Sequence, residues 1–228
     1  GDRLTLRDAL YSTLLGSDNV SALTIASFVG RDLVSRRGSG TPIAAFVSEM
    51  NNLARSLRMT KTRFTAPHGL DAGNAVSTSC ALDMALLGMY SMQNPAFCYI
   101  VSQASRRIGV QSQTKGTTMY DISNNNKMMS TPGVDGIKAG SSRAAGQCLL
   151  LSATQNAIAR RSPQTGTEVI YPQRMIIAVL GTGERYSLAR QMLNTGWRVW
   201  ENWQASGMDM KDPKEFVQLP VKSGTEKR

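Results

Sequence analysis

Histidine and cysteine are scarce in this sequence. It has one histidine, His68, and three cysteines, Cys80, Cys98 and Cys148, with no metal-ligand spacing among them. That excludes a His-rich zinc site and a disulfide scaffold, and no cofactor is implied. Aromatic residues are only 6% of the chain and do not interleave with the basic ones. A base-stacking, nucleic-acid-binding surface is therefore not expected. Long apolar runs are also missing, so no segment reaches the ~18 residues that span a bilayer. Acidic side chains are few, 16 against 26 basic, for a net charge of +10. The balance favours anionic partners, an acidic polymer or an anionic lipid surface. What is present is globular: 228 residues, 41% hydrophobic, enough for one domain and a remainder.

The first half has helical periodicity. Thr5 is a good N-cap, with Asp8 three residues on, and Gly16 is a natural stop. A second helix is expected from Val20 to Arg37, ending at Gly38-Ser39-Gly40. Thr41-Pro42 opens a third, striped by Ile43, Phe46, Val47, Met50, Leu53, Ala54 and Leu57. A turn-rich stretch from Ala66 to Gly73 leads to a fourth, Ser79 to Met92. The second half changes period. Gly133–Gly140, Gln147–Thr154 and Arg174–Gly181 read as strands, with Arg160–Gln173 as a long hairpin excursion. A last helix covers Tyr186 to Trp203, and the polar segment 205–228 reads as a linker or the start of another region. Helices, then strands, then a closing helix predict an α+β domain with an antiparallel sheet over residues 1–204.

Two strings can carry chemistry, and two others invite the same reading. Ser17-Asp18-Asn19, between two helices, can present a hydroxyl and a carboxamide from one turn, although Ser17 or Asn19 would also serve as a helix cap. Lys138-Ala139-Gly140 puts a lysine on a strand and lets a ligand backbone approach beside the glycine. Lys222-Ser223-Gly224 has similar letters but lies in the charged tail. Pro67-His68-Gly69-Leu70-Asp71 reads as a structural loop, in which His68 and Asp71 bond backbone groups.

The order of these strings resembles the serine D-alanyl-D-alanine carboxypeptidases, the low-molecular-mass penicillin-binding proteins. Their fold is that of the β-lactamases, with Ser-x-x-Lys, Ser-x-Asn and Lys-Thr-Gly motifs. Phe46-Val47-x-x-Met50-Asn51, Pro67–Asp71, Ser77-Thr78, Asp83–Gly88 and Asn126-Lys127 extend the likeness to about Trp200. The resemblance implies a helical cluster against an antiparallel sheet. It implies removal of the terminal D-alanine of peptidoglycan stem peptides through an acyl-enzyme, with β-lactam antibiotics as inhibitors, in the periplasm or otherwise outside the cytoplasmic membrane, where membrane association is an option. It casts Ser17 as the proton relay to the leaving amine, Asn19 as the holder of the substrate amide, and Lys138 as the positive charge beside them. The Ser141 N–H would supply half of the oxyanion hole, and Ala139, Gly140 and Arg185 would line the carboxylate end.

Two departures qualify the likeness. Ser112-Gln113-Thr114-Lys115 matches Ser-x-x-Lys only in letters, because a strand sends residues three apart to opposite faces. The nucleophile is therefore expected upstream of Gly1, and the chain reads as a fragment with an incomplete sheet and uncovered stripes on Ile43–Leu57 and Trp197–Trp200. Ala139 also replaces the family threonine, which leaves a degenerate, non-catalytic peptidoglycan-binding relative as the alternative. A β-lactamase is disfavoured, because none of the six glutamates begins a Glu-x-x-Leu-Asn string.

Overall fold

A computed structural model describes residues 1–70, 76–161 and 166–207. Its first half is helical, for the reasons the caps suggest. In α1 (Leu6–Leu14) the Thr5 hydroxyl accepts the Asp8 N–H at 3.1 Å. Helix α2 (Asn19–Arg37) stops at Gly38, whose φ of 77° suits glycine. Helix α3 (Pro42–Ser56) starts on the Thr41 cap and Pro42. It crosses α2 at Gly30, where an added Cβ would lie 2.0 Å from the Pro42 carbonyl oxygen. Helix α4 (Ala81–Ser91) follows, its buried Asp83 accepting the Lys61 N–H at 2.8 Å and the Thr62 hydroxyl at 2.7 Å. A short α5 (Pro95–Val101), capped by Asn94, was not expected from the sequence. Its run of aromatic and β-branched residues resembles a strand, and only Asn94-Pro95 marks a helix start.

Among the described residues, two antiparallel three-stranded sheets are present rather than one. The first joins β1 (Arg3–Leu4), β2 (Ser105–Ser112) and β3 (Gly116–Ser123) in that order. The β2–β3 hairpin also escaped the sequence reading. It is largely exposed and polar, and the alternation reduces to Ile108 and Ile122, which pack with Tyr11 and Leu15 of the α1 segment. The second sheet is the meander β4 (Val134–Ser142), β5 (Gly146–Arg161) and β6 (Glu168–Thr182). The Arg160–Gln173 excursion is corrected here. Strands β5 and β6 remain paired out to Arg161 and Glu168, past a register shift between Gln155 and Ile158.

The meander is covered on both faces. Leu149, Leu151, Ala153, Ile177 and Val179 pack against Ala189 and Leu193 of the closing helix α6 (Arg185–Ala205). Burying each of these leucines contributes about 2 kcal/mol. Leu150 and Ile176 turn to the opposite side, towards Met92, Val101 and Ile137. Gly88 lets α4 come close there, with its missing Cβ 2.9 Å from Ile176. The stripe expected to be bare on α3 is half-buried or better, and so are Trp197 and Trp200. Exposed apolar residues occur elsewhere, among them Val20, Leu23 and Phe28 on α2, Leu82 on α4, Ile170 on β6, and Leu188, Met192 and Val199 on α6. Asp71 and the 208–228 part of the expected linker, with Lys222-Ser223-Gly224, lie outside the described residues. His68 does play a local role: its Nδ1 accepts the Leu70 N–H at 3.2 Å.

Candidate functional site

The α1–α2 junction is built around an unusual turn. Ser17 has φ 61°, in the left-handed region, so its surroundings must hold it there. Gly16 before it has no room for a side chain, since a Cβ would sit 2.9 Å from the Ser12 carbonyl oxygen. The helix cap is Asp18, not Ser17 or Asn19. Its carboxylate accepts the N–H groups of Val20 (3.0 Å) and Ser21 (3.1 Å) and the hydroxyls of Ser12 (3.1 Å) and Ser21. Burial pushes the Asp18 carboxyl up, but these hydrogen bonds outweigh it and hold it below the ordinary carboxylate range. Capping thus falls to Asp18, and the Ser17 side chain is left for another purpose.

That side chain meets Lys138. Strand β4 is the edge of its sheet, and Lys138 pairs with Leu150, whose side chain faces the helices. Directly paired residues share a face, so the ammonium reaches the α1–α2 turn. Its Nζ donates to the Ser17 hydroxyl and, at 2.6 Å, to the Ala139 carbonyl. The Ser17 hydroxyl lies 3.5 Å from the same carbonyl. Burial, and then the nearby Arg185 guanidinium, lower the Lys138 amine to about 8. Arg185, the first residue of α6, donates at 2.6 Å to the Gly140 carbonyl and at 3.4 Å to the Cys148 carbonyl. Its guanidinium carbon lies 4.8 Å above the Tyr186 ring, and its Nε is buried without a hydrogen-bond partner.

Ser17, Lys138 with Gly140, and Arg185 therefore come together from three parts of the chain. Asn19 opens α2, half-buried, and its carboxamide makes no hydrogen bond among the described residues. Ser141 is exposed on the β4 edge opposite Gln147. Ala139 differs from what its position in the motif suggests. Its side chain is 3% exposed and packs in the α6 core, so it faces this groove with its carbonyl alone. Ser112 ends β2, and its hydroxyl accepts the Thr114 N–H at 3.4 Å in the hairpin turn. The helical stacking that a serine–lysine pair three apart requires is absent there.

Replacing Arg185 with methionine removes the positive charge that, after burial, lowers the Lys138 amine. The Lys138 amine is then expected to titrate above 8, as followed by NMR of labelled lysine side chains. An unchanged midpoint would assign the lowering to burial alone.

A family model described as D-alanyl-D-alanine carboxypeptidase matches residues 1–162. The chain belongs to the D-alanyl-D-alanine carboxypeptidase family. It is 28% identical over 208 residues to the D-alanyl-D-alanine carboxypeptidase DacC of Escherichia coli, covering 88% of this chain and 43% of that protein. It is 29% identical over 161 residues to the D-alanyl-D-alanine carboxypeptidase of Streptomyces sp. strain K15, covering 68% of this chain and 52% of that one. The crystal structure of the Streptomyces K15 DD-transpeptidase superposes with a TM-score of 0.70 at 25% identity, over 86% of this chain and 69% of that one. The chain thus spans about half or less of the curated relatives it matches. The α+β, transpeptidase-like fold expected from the sequence is the one found.

Four residues of this candidate site were missed by sequence reasoning: Asp18 as the cap, Gly16 as the close-packed glycine, and Asn125 and Tyr186, of which Asn125 bonds the Gly16 carbonyl and Tyr186 bonds Asn125. Asp18 alone had a signal, an acidic residue directly before a helix.

Proposed function

We propose that this chain carries the proton-relay and carboxylate-recognition part of a serine D-Ala-D-Ala carboxypeptidase acting on peptidoglycan stem peptides. The observation that carries the reading is the contact of the Lys138 ammonium with the Ser17 hydroxyl, with the Arg185 guanidinium bonded to the Gly140 carbonyl two residues along the same strand. The open β4 edge suits an extended peptide lying alongside it. Lys138 and Arg185 offer two positive charges to a terminal carboxylate. Ser17, which accepts from Lys138, is oriented to pass a proton to a leaving amine as the peptide bond breaks and an acyl-enzyme forms. Asn19 would hold the substrate amide, and the Ser141 N–H would supply one oxyanion donor. β-Lactams, which carry a carboxylate beside a strained amide, would compete for the same groove. Ala139 buried in the core supports a second reading, a peptidoglycan-binding relative without turnover, and release of D-alanine separates the two. A periplasmic or other extracytoplasmic location follows from that substrate. The net charge of +10 supports an anionic membrane or wall polymer nearby. No described helix is long and apolar enough to cross a membrane.

Calorimetric titration with diacetyl-L-Lys-D-Ala-D-Ala tests the reading. The D,D-acid is expected to bind about tenfold or more tighter than its C-terminal amide, because hydrogen bonds to charged groups contribute about 1.5–3 kcal/mol. Its affinity should fall as pH rises through about 8, where Lys138 loses its proton. Equal binding of the acid, the amide and the L-Ala-L-Ala peptide would refute the proposal.

A further inference from the structure

The turn bearing Ser17 and the helix bearing Arg185 come from opposite ends of the chain, yet two residues between them form a continuous bridge. Asn125 grips the turn twice. Its N–H donates to the Leu15 carbonyl at 3.0 Å, and its Nδ2 donates to the Gly16 carbonyl at 3.0 Å. Tyr186 grips Asn125 in turn, its hydroxyl donating to the Asn125 carbonyl at 3.0 Å and accepting the Lys127 N–H at 3.4 Å. The Tyr186 ring is also the surface on which the Arg185 guanidinium rests, 4.8 Å from its centre.

We infer that Asn125 and Tyr186 are positioning residues that fix the spacing between the Ser17 hydroxyl and the Arg185 guanidinium. Neither needs to touch substrate. The need for such a device is visible in Ser17 itself: a non-glycine residue at φ 61° keeps that conformation only while its neighbours hold it. Asp18 anchors the side of the turn that enters α2, and Asn125 anchors the side that leaves α1. Arg185 has a parallel need. Its carbonyl partners, on Gly140 and Cys148, are both on the sheet, so the Tyr186 ring supports it from the other side. Because the same tyrosine holds the arginine and, through Asn125, the serine turn, a shift at one end is transmitted to the other.

This inference rests on the functional reading above, so its test includes a measurement that needs no substrate. Asn125→Ala removes one grip at an exposed position, and Tyr186→Phe removes only the hydroxyl. Each variant is expected to bind diacetyl-L-Lys-D-Ala-D-Ala about three- to tenfold more weakly at a temperature where all proteins are folded. The double variant should lose less than the product of the single losses, because either change opens the same bridge. In Asn125→Ala the freed turn should admit water, and the Lys138 amine should titrate above 8, towards 10.5. Affinities within twofold of the parent, multiplicative losses, or an unmoved Lys138 titration would each overturn the inference. If the parent itself fails to bind the peptide, the functional reading falls, and the Lys138 titration alone then decides whether the bridge holds the turn.

Discussion

Lys138→Met is expected to make the protein more stable and, on the reading proposed above, to remove most of its affinity for the D,D-peptide. The amine is lowered from 10.5 to about 8 chiefly by burial, a difference worth on the order of 3 kcal/mol. Below pH 8 the folded state holds a proton that its surroundings disfavour, and the unfolded chain holds it freely. The penalty is therefore full at neutral pH. It fades as pH rises from 8 towards 10.5, where the folded protein has released the proton and the unfolded one still keeps it. Methionine fills much of the same volume without the charge. The variant should unfold several degrees higher than the parent at pH 7, and the gap should close near pH 10.5. Affinity for the D,D-acid should drop about a hundredfold or more, as expected when one member of a buried charged contact is removed. Thermal unfolding from pH 6 to 11 beside calorimetry at pH 7 checks both halves. A variant no more stable than the parent at neutral pH would show that the ammonium is well solvated by its partners.

The second large effect lies far from the site. Gly30→Ala should destabilise the protein by about 2 kcal/mol or more, since overpacking against an immovable group is seldom absorbed. The missing Cβ would stand 2.0 Å from the Pro42 oxygen and 2.5 Å from its carbon, both backbone atoms of α3. Relief requires α2 and α3 to separate. Gly183→Ala is the control, because nothing lies within 4 Å of a Cβ added there. Urea unfolding should place the two variants well apart, and similar midpoints would mean that the helix pair yields easily.

Helix limits were legible wherever a cap and a stripe coincided, as at Thr5, Gly38 and Thr41-Pro42. They were not legible where one was missing. The α5 segment is too short and too rich in Phe97, Tyr99, Ile100 and Val101 for its period to show. The β2–β3 hairpin has so little buried surface that alternation barely registers. The outer parts of β5 and β6 carry Asn156, Arg160 and Arg161, residues that read as loop, and are held by cross-strand pairing that no local pattern reveals.

At the site, the strings around Ser17 and Lys138 were legible because residue type and chain order together are specific, and the resemblance added Arg185. Contacts closing over long separations were not. Asn125 to Gly16 spans 109 positions and Tyr186 to Asn125 spans 61. Nor could the sequence say that Ala139 turns its methyl into the α6 core, since that depends on which face of β4 the helix covers.

The position of the site between two parts of the chain bears on when it forms. The α1–β3 part is complete by Ser123, and the second sheet with α6 is one continuous stretch from Val134 to Ala205. Ser17 and Lys138 meet across 121 positions. Contacts of that span come late, after the loop-closure entropy between the two parts has been overcome. During synthesis the helical half emerges first, with its serine turn facing an empty space until the meander docks. A groove assembled in this last step is a direct reporter of complete folding. A peptide or β-lactam that bridges Ser17, Lys138 and Arg185 would act as a clamp across the seam, slowing unfolding of the whole chain as well as occupying the groove.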